Sequence, residues 1–135
     1  MIVIDASALA KYLLRESNYN VVEKYLLEGA YSIDHVVKEV ANAIWKHAVL
    51  YRRIPLEIAR ELYRALSMII EGGLVMIEPQ RNYMQQAFEI ALNHEITVYD
   101  ALYIAQAKAK NSKLLTSDEA QLAIAEKLGV ETLHV

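Results

Sequence analysis

The sequence predicts an α/β fold, a three-layer α/β/α sandwich around a mostly parallel sheet of four to five strands. Three observations lead there. Short apolar runs of strand length alternate along the chain with amphipathic stretches of helical period, the pattern that lays helices on the faces of a parallel sheet. No Pro/Gly/Ser-rich stretch or block of like charge divides the 135 residues, so residues 1–135 read as a single domain. A hydrophobic fraction of 55% with 23% charged residues is enough to build a core and lies far from the composition of disordered chains.

In chain order, residues 2–4 (Ile-Val-Ile) are a buried strand that runs straight into a helical pattern beginning at Asp5. Residues 17–28 carry Val21, Val22, Tyr25 and Leu26 at helical spacing, and Gly29 stops that helix. Residues 30–33 are a shorter strand. Asp34 is placed to cap a long helix to about residue 51, with Val36, Val37, Val40, Ala41, Ile44, Trp45 and Ala48 as its apolar face. Pro55 suits the first turn of the next helix, which the pair Gly72 and Gly73 ends. Residues 74–77 form a strand, residues 80–94 a helix, and a further helix runs from about 97 to 110. Residues 113–116 form a strand, 118–128 a helix, and 130–134 the last strand.

Composition excludes several functions. With no cysteine, the chain has no disulfide scaffold, thiolate zinc site or cysteine nucleophile. The first residues have no basic region and an acid at position 5, which argues against a secretory signal, and no uncharged apolar run reaches the roughly 20 residues of a membrane helix. A cytoplasmic protein is the expectation. A net charge of -3 lacks the basic footprint of a protein that holds nucleic acid by phosphate neutralisation alone. Nucleic-acid contact would have to be local, through a few Lys and Arg or through a cation bound in an acidic pocket.

The only aspartates are Asp5, Asp34, Asp100 and Asp118, and each stands where a helix should begin. Helix capping explains that placement, since Asp is a favoured N-cap and Thr97 with Asp100 resembles a capping box. Topology offers a second explanation. Asp5 and Asp118 both follow predicted strands, and the crevice beyond the carboxyl ends of a parallel sheet is where ligands bind. Glu39 borders an apolar helix face and shares its side of the helix with Asn42, Ala43 and Lys46, which reads equally as a solvated stripe. If the acids converge, two like charges about 5 Å apart at an effective dielectric near 20 repel by roughly 3 kcal/mol, so the cluster must take up protons or a cation. All-oxygen ligation selects Mg2+ or Mn2+, whose chemistry suits phosphodiester hydrolysis.

At this point the sequence resembles the PIN-domain family, and within it the VapC-type toxins of prokaryotic toxin-antitoxin pairs. Residues 2–8, Ile-Val-Ile-Asp-Ala-Ser-Ala, are similar to the family's opening motif, and residues 39–44, Glu-Val-Ala-Asn-Ala-Ile, to its second. Residues 99–105, Tyr-Asp-Ala-Leu-Tyr-Ile-Ala, resemble the third motif, and residues 115–118, Leu-Thr-Ser-Asp, the fourth. The resemblance implies that Asp5, Glu39, Asp100 and Asp118 are catalytic metal ligands for Mg2+ or Mn2+, supported by Ser7, Asn42 and Thr116. It further implies a metal-dependent endoribonuclease, a protein antitoxin that covers the acidic groove, and a homodimer. One departure is Gln106, where the third motif usually continues with an apolar residue.

Lys11, Arg15, Lys38 and Lys46 lie near the first two motifs and are candidates for RNA phosphate contacts, or equally for ordinary surface charge. His35, His47, His94 and His134 lack metal-ligand spacing and read as structural or surface residues. Most of the nine tyrosines fall at core spacing and read as packing residues rather than base-stacking ones. Other functions compete. A haloacid-dehalogenase-type phosphatase would want a second Asp at position 7, which is Ser7, and a receiver-type phosphoacceptor would want an acid pair ahead of the first strand's end. A non-toxin RNA-processing role or an inactive scaffold of the same family is the other alternative, against which all four acidic positions are filled.

Overall fold

The computed structural model describes all residues from Met1 to Val135. Five strands, β1 (Ile2–Ile4), β2 (Ala30–Ile33), β3 (Val75–Glu78), β4 (Leu114–Thr116) and β5 (Thr132–His134), form one sheet in the order β3-β2-β1-β4-β5. Every neighbouring pair is parallel. Helices α1 (Ala6–Leu13), α2 (Tyr19–Glu28), α3 (Val36–Trp45) and α4 (Leu56–Glu71) connect the strands on one side of β1. Helices α5 (Met84–His94), α6 (Val98–Lys110) and α7 (Glu119–Lys127) belong to the connections that run the other way. Because parallel crossovers are right-handed, reversing direction across the sheet puts the second set on the opposite face. The expected three-layer sandwich follows.

That reversal happens between β1 and β4, which are adjacent in the sheet although distant in sequence. Open α/β sheets bind ligands at such a switch point, just outside the carboxyl ends of the strands. The central strands are apolar except for Thr116 at the end of β4: Val3, Ile4, Leu114 and Leu115 are fully buried, as strands covered on both faces must be. Gly29 leaves α2 at φ +90°, a conformation costly for a side chain, and so turns the chain directly into β2. No helix is long and apolar enough to cross a membrane.

The structure corrects three details. Asp34 does not cap α3: His35 holds the cap position without a side-chain bond, and the Asp34 carboxylate accepts weakly from the Gln80 N–H at 3.4 Å. The reason is that sheet pairing continues past β2, the Asp34 N–H donating to the Glu78 carbonyl at 3.0 Å, which delays the helix. α3 also does not continue uniformly to residue 51, because Lys46–Leu50 widens into a π-helical turn. The predicted helix over 80–94 is divided into a 3-10 turn, Gln80–Asn82, and α5, with Tyr83 at φ -127° between them. The Tyr83 hydroxyl donates to Glu78 Oε1 at 2.7 Å and draws that residue inward, out of helical register.

Gln106 also has a physical reason to be polar. Its Nε2 donates to the Ser32 carbonyl at 3.0 Å and to Glu78 Oε1 at 2.9 Å, while Lys110 Nζ lies 3.1 Å from Glu78 Oε2. Burial alone would raise the Glu78 carboxyl, but these bonds with that of Tyr83 outweigh it and hold the group below the usual range. An apolar residue at 106 would leave Glu78 with fewer donors at the end of β3.

Candidate active site

β1 and β4 run side by side, with Ile4 opposite Leu115, so the next residues out, Asp5 and Thr116, emerge together at the switch point. The Asp5 N–H still donates to the Leu115 carbonyl at 3.2 Å. Asp5 then caps α1, its Oδ1 accepting from the Ala8 N–H at 2.9 Å, while Oδ2 accepts from the Thr116 hydroxyl at 2.6 Å. Ser7 Oγ lies 2.8 Å from both oxygens of the carboxylate. The direction of the hydroxyls is forced. Ser117 N–H donates to Ser7 Oγ at 3.0 Å and Asp118 N–H to Thr116 Oγ1 at 2.9 Å, so each hydroxyl accepts from backbone and has its own proton free for Asp5.

Asp118 caps α7, accepting from the Gln121 N–H at 3.0 Å. Gln121 is 1% exposed and reaches across with Nε2 to Asp100 Oδ1 at 3.3 Å, linking the two acids. Asp100 sits in the first turn of α6, where Thr97 caps by accepting the Asp100 N–H at 3.3 Å. The return half of a capping box is absent, because the Asp100 carboxylate turns to Gln121 instead. Capping therefore explains Asp5 and Asp118 in part, and Asp34 and Asp100 not at all.

Glu39 enters from α3. Its Oε1 accepts from the Tyr103 hydroxyl at 2.7 Å and lies 3.0 Å from His35 Nε2. Tyr103 stands one turn beyond Asp100 on α6, so it ties the second acidic segment to the third. His35 is buried, one turn before Glu39, with its ring centroid 4.9 Å from that of Tyr103 and 5.6 Å from that of Tyr99. His35, Tyr103 and Gln121 were not anticipated as site residues. The spacing of four between His35 and Glu39, and of three between Asp100 and Tyr103, were the available signals.

The acids act on one another. Burial pushes the Asp5 carboxyl up to about 6, the Asp100 charge adds to the rise, and bonds from Thr116, Ala8 and Ser7 only partly offset it. Asp100 is raised by burial and by the charges of Asp118 and Glu39. Glu39 ends below its ordinary value because His35 and Tyr103 together outweigh the effect of burial. None of the four carboxylates has a Lys or Arg partner within ion-pair distance. The acids at this end of the sheet thus carry negative charge that no Lys or Arg compensates.

A hard divalent cation fits that donor set, which is all oxygen and anionic. Gln121 Oε1 is buried and accepts from no protein group, so it wants a donor such as a water held by an ion. No three acids lie close enough to cage an ion by themselves. That arrangement suits Mg2+ better than a closed cage would, since Mg2+ keeps several of its waters and takes one or two carboxylates directly. The remaining sequence expectations divide. Ser7 and Thr116 support Asp5 as expected, whereas Asn42 is exposed on α3 and hydrogen-bonds to none of the acids. Lys38 and Lys46 are exposed, Lys11 is half-buried, and the Arg15 guanidinium lies 5.1 Å over the Tyr19 ring.

A parallel sheet with this switch point, and acids from four separated segments near enough to influence one another, defines a class. The chain belongs to the PIN-domain family, whose model matches residues 2–127. It is 35% identical to Ribonuclease VapC3 of Pyrobaculum aerophilum, the match covering 90% of this chain and 92% of that protein. It is 34% identical to Ribonuclease VapC1 of Mycobacterium tuberculosis, over 96% of this chain and 93% of that one. Among solved structures, PAE2754 from Pyrobaculum aerophilum superposes with a TM-score of 0.67 at 23% identity, over 97% of this chain and 87% of that one. FitAcB from Neisseria gonorrhoeae gives 0.64 at 21% identity, over 99% and 97%. The solved structures share the fold.

The crowding of acids has a measurable consequence for stability. Asp100→Asn removes a charge that Asp118 and Glu39 disfavour, and keeps an oxygen for Gln121. In EDTA at pH 7 its melting temperature should exceed the parent's by about 2 to 4 °C, the shift for a relief of roughly 1 kcal/mol after allowing for partial solvent screening. With excess Mn2+ the order should reverse. A variant clearly less stable than the parent in EDTA would return Asp100 to a purely helix-stabilising role.

Proposed function

We propose that this protein is an Mg2+- or Mn2+-dependent endoribonuclease, the toxin of a toxin-antitoxin pair. The observation that carries this reading is the unneutralised cluster at the switch point, in which Asp5 and Asp100 are both held above the ordinary carboxylate range. Asp5, Glu39, Asp100 and Asp118 would hold the ion, directly or through its waters. When bound, such an ion neutralises phosphoryl oxygens and makes water more acidic.

The chain's own residues supply the positioning. Ser7, Thr116 and the Ala8 N–H fix both oxygens of Asp5, and Gln121 spaces Asp100 from Asp118. The Tyr103 hydroxyl and His35 occupy Oε1 of Glu39, which keeps that carboxylate ionised and leaves Oε2 to take a proton from the attacking water. Relatives named ribonuclease over nearly their full length support RNA as the substrate.

An antitoxin that covers the acidic groove also needs an apolar anchor, and α3 and α4 offer one. Ile44, Trp45, Val49, Leu56 and Tyr63 line a groove of about 450 Å3 between α3 with its π turn and α4, with Arg60 and Arg64 also lining it. Trp45 is 47% exposed and Tyr63 50%. An apolar antitoxin segment with acidic flanks matches that groove. A homodimer, located in the cytoplasm, completes the reading.

The test is direct. Purified protein should cut labelled single-stranded RNA with Mg2+ or Mn2+ and stop when EDTA is added. Cleavage that persists undiminished in EDTA would remove the metal-dependent mechanism.

A further inference from the structure

Beside the acids lies a second cavity, of about 470 Å3, lined by Asp34, His35, Lys38, Glu39, Gln80 and Tyr99. Its size falls within the range of about 300 to 1,000 Å3 typical of small-ligand sites. It opens onto Glu39, so whatever fills it lies next to the acidic cluster. Its walls combine an exposed aromatic ring with donors, acceptors and charge.

Tyr99 is 62% exposed in the first turn of α6, directly before Asp100. Other large apolar side chains are as exposed, but this ring stands at a cavity mouth beside the acids, where its flat face is open to a ligand. Its orientation is nonetheless fixed. The His35 ring meets it at 71°, near perpendicular, and braces it. His35 itself is only 8% exposed, so its ring forms a fixed wall of the cavity behind Tyr99.

The other walls offer complementary groups. Gln80 is exposed, and its carboxamide carries both donor and acceptor. Its backbone N–H is tied to Asp34 at 3.4 Å, which keeps the two side by side. Lys38 provides one ammonium, against the two carboxylates of Asp34 and Glu39. A phosphate would be repelled from the interior of such a cavity, whereas a neutral heteroaromatic ring with hydrogen-bonding edges would not.

We propose that this cavity is a nucleobase subsite: the base of a single-stranded ribonucleotide next to the scissile bond stacks on Tyr99. Gln80 and Asp34 read its edge, Lys38 meets the adjoining phosphate, and His35 supports the Tyr99 ring from behind. Sequence-specific recognition of RNA uses unstacked bases on aromatic side chains in this way, and a paired base could not enter. Tyr99 is on this view a specificity residue rather than part of the hydrolytic machinery. The inference rests on the ribonuclease reading for its substrate, but its binding test does not.

In the binding arm, 15N-labelled protein is titrated with adenosine 5′-monophosphate, uridine 5′-monophosphate and ribose 5-phosphate. Both nucleotides, or one of them, should shift the amides of Tyr99, Gln80 and Lys38, while ribose 5-phosphate should leave Tyr99 in place. Tyr99→Ala should abolish the nucleotide shifts and Tyr99→Phe should retain them. In the cleavage arm, Tyr99→Ala should raise KM for a single-stranded hexaribonucleotide roughly tenfold with kcat within about twofold, and Tyr99→Phe should behave as the parent. Ribose 5-phosphate moving Tyr99 as strongly as the nucleotides, or a cleaving parent whose KM is unchanged by Tyr99→Ala, would overturn the subsite. A parent that binds nucleotide at Tyr99 but cuts no RNA would sink the ribonuclease reading and leave the subsite standing.

Discussion

Substituting Asn for Asp5 is expected to slow RNA cleavage by roughly a thousandfold while leaving the fold intact. The separation of those two effects is what makes the substitution informative. Asn caps helices about as well as Asp, so the bond from the Ala8 N–H survives; the amide NH2 then replaces Oδ2 and the Thr116 hydroxyl loses its acceptor, a loss offset by removing a charge that burial disfavours. What disappears is the charge. Neutralising developing charge on a phosphate is worth several kcal/mol to a metal-assisted hydrolysis, and each 1.4 kcal/mol is about tenfold in rate. Loss of function with a melting curve within about 2 °C of the parent would assign Asp5 to chemistry. Retained activity would reduce it to a helix cap.

Acidification should weaken cation binding, with Asp5 as the group responsible. Its carboxyl is raised from 3.8 to about 6, first by burial and then by the Asp100 charge. In the metal-free protein the folded state therefore keeps a proton between about pH 4 and 6 that the unfolded chain has already released. That proton contributes stability that is complete below the unfolded value and lost as pH rises through about 6, at most about 3 kcal/mol for a shift of this size. Cation binding has the opposite dependence, since the ion must displace the proton. Calorimetric titration with Mn2+ should give an apparent affinity about tenfold weaker at pH 5 than at pH 7.5, with proton release growing as the pH falls. An affinity that is flat across this interval would show that Asp5 is not a ligand.

How much of this was legible in the sequence depends on the reach of each interaction. The strands were visible because a buried parallel strand is apolar at every position, as in residues 2–4, and because acids or glycines end them abruptly. Asp5 and Asp118 could be placed since the chain leaves a strand and enters a helix at each, so topology alone brings them to one end of the sheet. Asp100 was harder. Locally it completes a capping pattern with Thr97, and only the bond to Gln121, from another helix, reveals where its carboxylate points.

Asp34 shows the converse error, because a good capping residue lost its role to the Asp34–Glu78 backbone pairing, a contact 44 positions distant that no local pattern records. Gln121 was invisible for the same reason, since its role comes from a partner on a different element, and Tyr103 showed only its place one turn after Asp100, not its bond to Glu39. His35 was visible. Its position one turn before Glu39 was on the sequence, and pairing a histidine with a carboxylate at that spacing is a recognisable arrangement. The widening of α3 into a π turn at Lys46–Leu50 has no signal in apolar spacing, which continues through it.

The account stands or falls on where a divalent ion settles. Anomalous diffraction from crystals equilibrated with Mn2+ near pH 7.5 measures that position without reference to catalysis. The expected result is a peak against the Asp5 carboxylate, with Asp100, Asp118 and Glu39 around it, bound directly or through the ion's waters. Crystals saturated with Mn2+ whose ions all lie away from Asp5 would contradict it.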